Sequence, residues 1–219
     1  VGTKYLIPEA VALYCGETQL IPYFFVPMVV FWIIAAIFIV VGRKKSTTLS
    51  IRSSFVVVAL SWISVSIYGA LPLYLSGAIP DFTDAIFESV SGFTTTGATI
   101  LSQIETLPRT INLWRCQMHW LGGMGIVALT VALLPILGVG GFQLIKAETT
   151  GPEKGKLTAK ITTTAKALWF IYVGMTALQT VLLKLAGMDF IDALCHAFAT
   201  LGTGGFSTKN ASVGAFSSA

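Results

Sequence analysis

Apolar residues in this chain gather into long uncharged runs. "YFFVPMVVFWIIAAIFIVV" (Tyr23–Val41) holds no charge in 19 positions, close to the roughly 20 residues a helix needs to cross about 30 Å of hydrocarbon. Phe55–Leu75 is a second such run, and Leu168–Leu183 a third, which reaches Met188 if Lys184 is accommodated. Met118–Phe142 is a fourth, interrupted by His119 and by glycines, and the span containing it starts near Leu113. Between the second and fourth runs lies a shorter element. Pro80 and Asp81 break the preceding pattern, and Phe82–Gly92 has room for roughly 11 helical residues, about 16 Å, or half a membrane.

Composition agrees with a bilayer. The chain is 54% hydrophobic and 11% charged, with mean hydropathy +0.79, whereas soluble domains are about 25% charged. Because the spans recur along the whole chain and no basic start precedes a short apolar stretch, a cleavable signal peptide is not expected. Charge placement orients the spans. Arg43, Lys44, Lys45 and Arg52 crowd one connection, and Lys146, Lys154, Lys156, Lys160 and Lys166 another. The positive-inside rule makes both cytoplasmic, so Ser54–Gly141 leaves the cytoplasm and returns. These loops account for the net charge of +4. With no basic stripe interleaved with aromatics, nucleic acid is not an expected partner.

The half-length element is written twice. Aligned 108 residues apart, positions 81–99 and 189–207 share six identities: Asp81/Asp189, Phe82/Phe190, Asp84/Asp192, Ala85/Ala193, Thr95/Thr203 and Gly97/Gly205. Asp81 and Asp189 are predicted N-caps, with Asp84 and Asp192 in the first turn. Attraction of cations at an outer mouth is compatible with capping. No basic cluster follows before Arg109, so the half-helix is predicted to dip into the membrane and its tail to return on the same side. Irregular backbone at that depth is tolerated only where it is buried in protein or lines a wet cavity.

The tails, "TTTGAT" and "GTGGFS", carry no carboxylate, histidine or lysine. They offer hydroxyls, permissive glycines and carbonyl oxygens, which can replace the water around a dehydrated alkali cation. A half-helix entering from outside also aims a partly negative C-terminus inward, which favours a cation. The preferred reading is a selectivity filter. Carriers that bind anions with broken helices point an N-terminus at the substrate. A re-entrant carrier for another small solute, or for sodium, is the alternative reading. An intramembrane enzyme using His119 or His196 would find only Glu88 as a nearby acid, so no enzymatic activity is expected.

These residues resemble the Trk/Ktr/HKT superfamily of potassium transporters, in its TrkH-type branch. The resemblance rests on "SGFTTTGATI" (Ser91–Ile100), "HWLGGMGIVAL" (His119–Leu129), "LLPILGVGGFQL" (Leu133–Leu144), "AKALWFIY" (Ala165–Tyr172) and "HAFATLGTGGFSTKN" (His196–Asn210), in the family's order. It implies an all-α integral membrane fold with helix–pore loop–helix units repeated around a central ion pathway. It also implies an additional N-terminal helix pair, homodimers and a cytosolic nucleotide-binding (NAD or ATP) regulatory subunit of TrkA type. The location implied is the bacterial inner membrane. Carried over by position, Thr95, Thr96, Gly97 and Ala98 form one filter strand, and Thr203, Gly204, Gly205 and Phe206 a second. A central glycine, here Gly97 and Gly205, goes in this family with potassium selectivity and serine with sodium permeation. Potassium is the transported ligand, and no covalent cofactor or transition metal is implied.

The expected organisation is an N-terminal helix pair over 1–53, a first repeat over 54–142, a cytoplasmic loop over 143–167 and a second repeat over 168–219. The family has four filters and this chain two, so the expectation is a piece of a longer transporter that does not conduct alone. "VGTKYLIPEAVALYCGE" reads as the end of a span. "GPEKGKLT" (Gly151–Thr158) has three residues between its glycines where a phosphate loop has four, and Leu157 where magnesium binding needs Ser or Thr. It reads as a solvated loop suited to docking the regulator. Cys15, Cys116 and Cys195 read as buried thiols, since a metal would require Cys116, His119, Cys195 and His196 all to converge. Glu88 and His196 are expected to make polar contacts within the pore helices, and His119 to anchor a helix near the outer surface. Arg109 and Arg115 read as headgroup or snorkelling residues. The glycines of Leu121–Gly125 and Gly138–Gly141 suit close helix packing or, with Pro135, a bend.

Overall fold

The computed structural model describes residues 2–42, 51–137 and 154–216. Its helices are α1 (Leu6–Cys15), α2 (Ile21–Gly42), α3 (Ile51–Leu75), α4 (Phe82–Phe93), α5 (Arg109–Leu137), α6 (Lys154–Leu185) and α7 (Phe190–Leu201). The described residues contain no strand. Three stretches, Thr18–Gly42, Phe55–Leu75 and Thr163–Leu185, have the length and apolarity to cross a membrane. At 29 residues, α5 is also long enough, about 44 Å. The chain is an all-helical, multi-pass membrane protein. Much of its apolar surface is open, with Phe38 73% and Phe170 79% exposed, as suits side chains solvated by lipid.

Tyr23–Val41, Phe55–Leu75 and Leu168–Leu183 fall inside α2, α3 and α6, and the described part of Met118–Phe142 lies in α5, but α6 is longer than its apolar run. It begins at Lys154, so the connection expected over 143–167 is helical from Lys154 onward. Lys, Ala and Leu are strong helix formers, and no proline occurs between Lys154 and Leu185. Arg43–Lys45, Lys146 and Gly138–Gly141 lie outside the described residues.

Helix α5 is the hub. On one side Trp114 donates its indole N–H to the Gly69 carbonyl of α3 at 2.9 Å and meets Tyr5 edge-on at 4.7 Å. Tyr5 in turn stacks on Tyr68 at 4.2 Å. Buried rings of this kind contribute apolar area together with a polar end that finds a partner. Ser89 of α4 donates to the Ser66 carbonyl at 2.7 Å, and a Cβ on Gly69 would strike Ser89, Phe93 and Met118. On the other side Leu113 and Cys116 of α5 pack with Ile191, Cys195, Phe198 and Phe206. The N-terminus of α5 is capped from a distance. The N–H groups of Arg109 and Thr110 each donate to the Glu17 carboxylate at 2.9 Å, which satisfies donors the helix leaves open. The result is one long helix with a short helix, α4 or α7, packed on each flank.

Candidate functional site

Both short helices start as their acids predict. Asp81 accepts from the N–H of Thr83 at 2.7 Å and of Asp84 at 3.1 Å. Asp189 accepts from Ile191 at 3.4 Å and from the Arg109 guanidinium at 2.9 Å. Each helix is 12 residues long, about 18 Å. Neither tail is wound into a spanning helix: regular structure ends near Thr95 and Thr203.

Three backbone bonds closing each helix match one for one, and in α7 the Gly205 N–H also reaches the Ala199 carbonyl at 3.4 Å. In α4 the N–H groups of Thr94, Thr95 and Thr96 donate to the carbonyls of Val90, Gly92 and Ser91 at 2.8, 3.1 and 3.0 Å. In α7 those of Gly202, Thr203 and Gly204 donate to Phe198, Thr200 and Ala199 at 3.0, 2.9 and 2.9 Å. This is a Schellman closure, whose left-handed residue is usually glycine. Here that residue is Thr95 (φ 56°) and Thr203 (φ 58°). A β-branched side chain is poorly tolerated in that region, and a non-glycine residue held there costs on the order of 1–3 kcal/mol and clusters at functional sites. Two residues later the sign of φ is positive again, at Gly97 (76°) and Gly205 (84°). Left-handed residues at alternate positions depart from both helix and strand, and glycine is the residue that adopts such a φ at little cost. Among the described residues no donor reaches the carbonyl oxygens of Thr95, Thr96 and Gly97 or of Thr203, Gly204 and Gly205. The two runs meet, since a Cβ on Gly97 would collide with the Gly204 carbonyl oxygen.

Behind each run, the short-helix residue at the same offset latches the hydroxyl two residues past the left-handed glycine. Glu88 accepts from Thr99 Oγ1 at 2.9 Å and from the Ile100 N–H at 3.2 Å. His196 Nε2 lies 3.0 Å from Ser207 Oγ, while its Nδ1 lies 2.7 Å from the Asp192 carbonyl. A carbonyl only accepts, so Nδ1 carries a proton and donates it there, while Nε2 bonds the Ser207 hydroxyl. In both loops that hydroxyl oxygen also accepts an N–H two residues on, Leu101 at 3.1 Å and Lys209 at 3.0 Å. Ser91 adds a bond to the Ala98 carbonyl at 2.6 Å in the first loop. The return legs are tied to each other. Ile104 N–H donates to Asn210 at 2.9 Å, and Asn210 N–H donates to Glu105 at 3.2 Å.

Two expectations need correction. Arg115 does not reach toward headgroups: it is fully buried, with Nε 2.8 Å and Nη2 2.6 Å from Glu88 Oε1. An ion pair bonded to Thr99 and Asn112 is a better place for a guanidinium than hydrocarbon would be. His119 is not at the outer surface either. It is buried, stacks on Phe206 at 4.0 Å, accepts the Phe206 N–H at 3.4 Å and fills the space beside Gly204, where a Cβ would overlap its ring. Arg109 is half exposed and paired with Asp189. The glycines of Leu121–Gly125 serve close approach, since a Cβ on Gly122 would hit the Phe93 carbonyl and one on Gly123 the Gly202 Cα at 2.9 Å. Arg115, Thr99 and Ser207 were missed from sequence. The offset of 108 that pairs Glu88 with His196 also pairs Thr99 with Ser207, and that coincidence was the available signal.

Comparison with known proteins places the chain. The family described as "TrkH: Cation transport protein" matches residues 21–219. The Trk system potassium uptake protein TrkH of Halomonas elongata is 51% identical over 180 residues, 81% of this chain and 37% of that protein. TrkG of Escherichia coli K12 is 39% identical over 213 residues, 96% of this chain and 44% of that protein. The crystal structure of the potassium transporter TrkH from Vibrio parahaemolyticus superposes with a TM-score of 0.83 at 37% identity, covering 99% of this chain and 43% of that one. The chain thus spans less than half the length of these relatives. It belongs to the TrkH family of cation transport proteins.

Proposed function

We propose that this chain supplies two of the re-entrant loops of a potassium uptake pathway in a bacterial cytoplasmic membrane, with backbone oxygens of Thr95, Thr96, Gly97, Thr203, Gly204 and Gly205 facing the dehydrated ion. The observation that carries the reading is the pair of left-handed threonines followed two residues later by left-handed glycines, at the same offset in both loops. The partly negative C-termini of α4 and α7 point the same way chemically. Ions pass without chemistry on a substrate. In this reading residues 54–142 and 168–219 are a first and a second repeat, 1–53 an N-terminal helix pair and 143–167 a cytoplasmic connection. Further loops come from outside this chain segment, in a homodimer regulated by a cytosolic nucleotide-binding subunit that docks on the basic connection. The relatives' names, which specify potassium uptake, support the choice of ion.

The test is Gly97→Ser in the full-length transporter. A serine at φ 76° presses on the Gly204 carbonyl, displacing an ion-facing oxygen. Potassium-over-sodium discrimination in proteoliposome flux is expected to fall about tenfold, a difference of about 1.4 kcal/mol between the ions. An unchanged ratio would remove these residues from the filter.

A further inference from the structure

We propose that Arg115 is a positioning residue that sets both filter strands at once, an inference that rests on the filter reading above. Its guanidinium stands between the loops with no exposure to solvent. Toward the first loop it grips Glu88 through Nε and Nη2 and reaches Thr99 Oγ1 at 3.2 Å, and Glu88 itself holds Thr99 and the Ile100 N–H. Toward the second loop its Cζ lies over the Phe206 ring, 4.4 Å from the centroid. Phe206, packed against Leu113, Cys116 and Phe198, also contacts His119 through stacking and its own N–H, and the His119 ring abuts Gly204. An unbroken path of contacts therefore runs from the residues just past Gly97, through Glu88, Arg115 and Phe206, to His119 and Gly204.

Asn112, one turn earlier on α5, takes Nη1 at 3.1 Å and so fixes the plane of the group. The pair is electrically neutral, so its presence 27 residues apart in sequence adds geometry without adding charge to the ion path. What the site demands is a flat, forked cation. Lysine keeps the charge but offers neither the fork to Glu88 nor a face to Phe206.

The test uses full-length transporter in proteoliposomes and reads the potassium-to-sodium flux ratio, which a merely structural role would leave alone while total flux fell. Arg115→Lys is expected to lower the ratio about tenfold, and Phe206→Leu, which leaves the Glu88 pair intact, about threefold. The double variant is expected to be no worse than Arg115→Lys, because both changes cut one path. Single-variant ratios within about twofold of wild type, with Gly97→Ser lowering its own, overturn the proposal and leave the filter standing. If Arg115→Lys yields no folded protein, Phe206→Leu decides by the same criterion. If Gly97→Ser also leaves the ratio unchanged, the filter reading fails and this proposal falls with it.

Discussion

In the first loop a carboxylate, Glu88, holds the chain beyond the glycine run and is itself held by a buried arginine; in the second an imidazole, His196, does the same task through a single serine hydroxyl. The three closing backbone bonds pair up between the two helices, and so do the signs of φ that follow. The backbone geometry of the tail is therefore shared, while the means of stiffening it is free to differ. The difference is one of energetic exposure. A buried ion pair contributes little over an apolar replacement when intact but leaves a stranded charge when one partner is removed. A neutral hydrogen bond loses much less.

The comparison breaks most sharply on removing each latch. Glu88→Ala leaves the Arg115 guanidinium buried without its carboxylate and is expected to cost about 3–5 kcal/mol. His196→Ala is expected to cost about 1–2 kcal/mol. Thermal unfolding of the full-length protein in detergent ranks them, and equal drops would mean that the two loops are held by something other than these latches.

A smaller effect tests the shared backbone. Thr95→Gly and Thr203→Gly each relieve a β-branched residue at positive φ and are expected to stabilise by about 1 kcal/mol while reducing potassium flux. A raised melting temperature with impaired transport in both would place strain and function at the same residue. A lowered melting temperature in both would show that no strain is held there.

The smallest effect concerns the caps. The N–H groups of Asp84 and Thr83 hold the Asp81 carboxyl below its usual range. A depressed folded-state value gives stability that is present above the ordinary carboxylate range and lost as pH falls through the folded value. Asp81 is exposed, so solvent screening keeps the contribution slight. Asp81→Asn is expected to lower the neutral plateau of the melting-temperature profile slightly and to flatten its acid limb below about pH 5. A wild-type acid limb in that variant would assign the dependence to other groups.

Much of the fold was legible because hydrocarbon imposes so blunt a requirement. Uncharged runs of span length announced α2, α3 and α6, and capping acids announced the starts of α4 and α7. Where α6 begins was less legible, since a basic helix reaching past the apolar run reads as a loop when hydropathy is the guide. Gly97 and Gly205 were identified by the repeat, and their positive φ is what glycine is for. Thr95 and Thr203 were expected as filter residues, but nothing in a threonine predicts a left-handed conformation; local sterics argue against it. That geometry comes from the bonds closing each helix.

Arg115 and His119 were misplaced for a related reason. A charged or polar residue near the end of an apolar run reads as a group seeking the interface, because the sequence does not reveal what a neighbouring helix offers. Glu88 and Phe206 are what bury them, and they arrive from a short helix and a loop 27 and 87 residues away. From the order of residues alone follow the membrane setting, the helical class, the duplicated half-helix and the family. The tertiary structure decided which side chains stiffen the tails and that Gly97 faces Gly204. Burial energies depend on linear composition, whereas a hydrogen bond or a stacked guanidinium depends on directions that exist only once separate segments are packed.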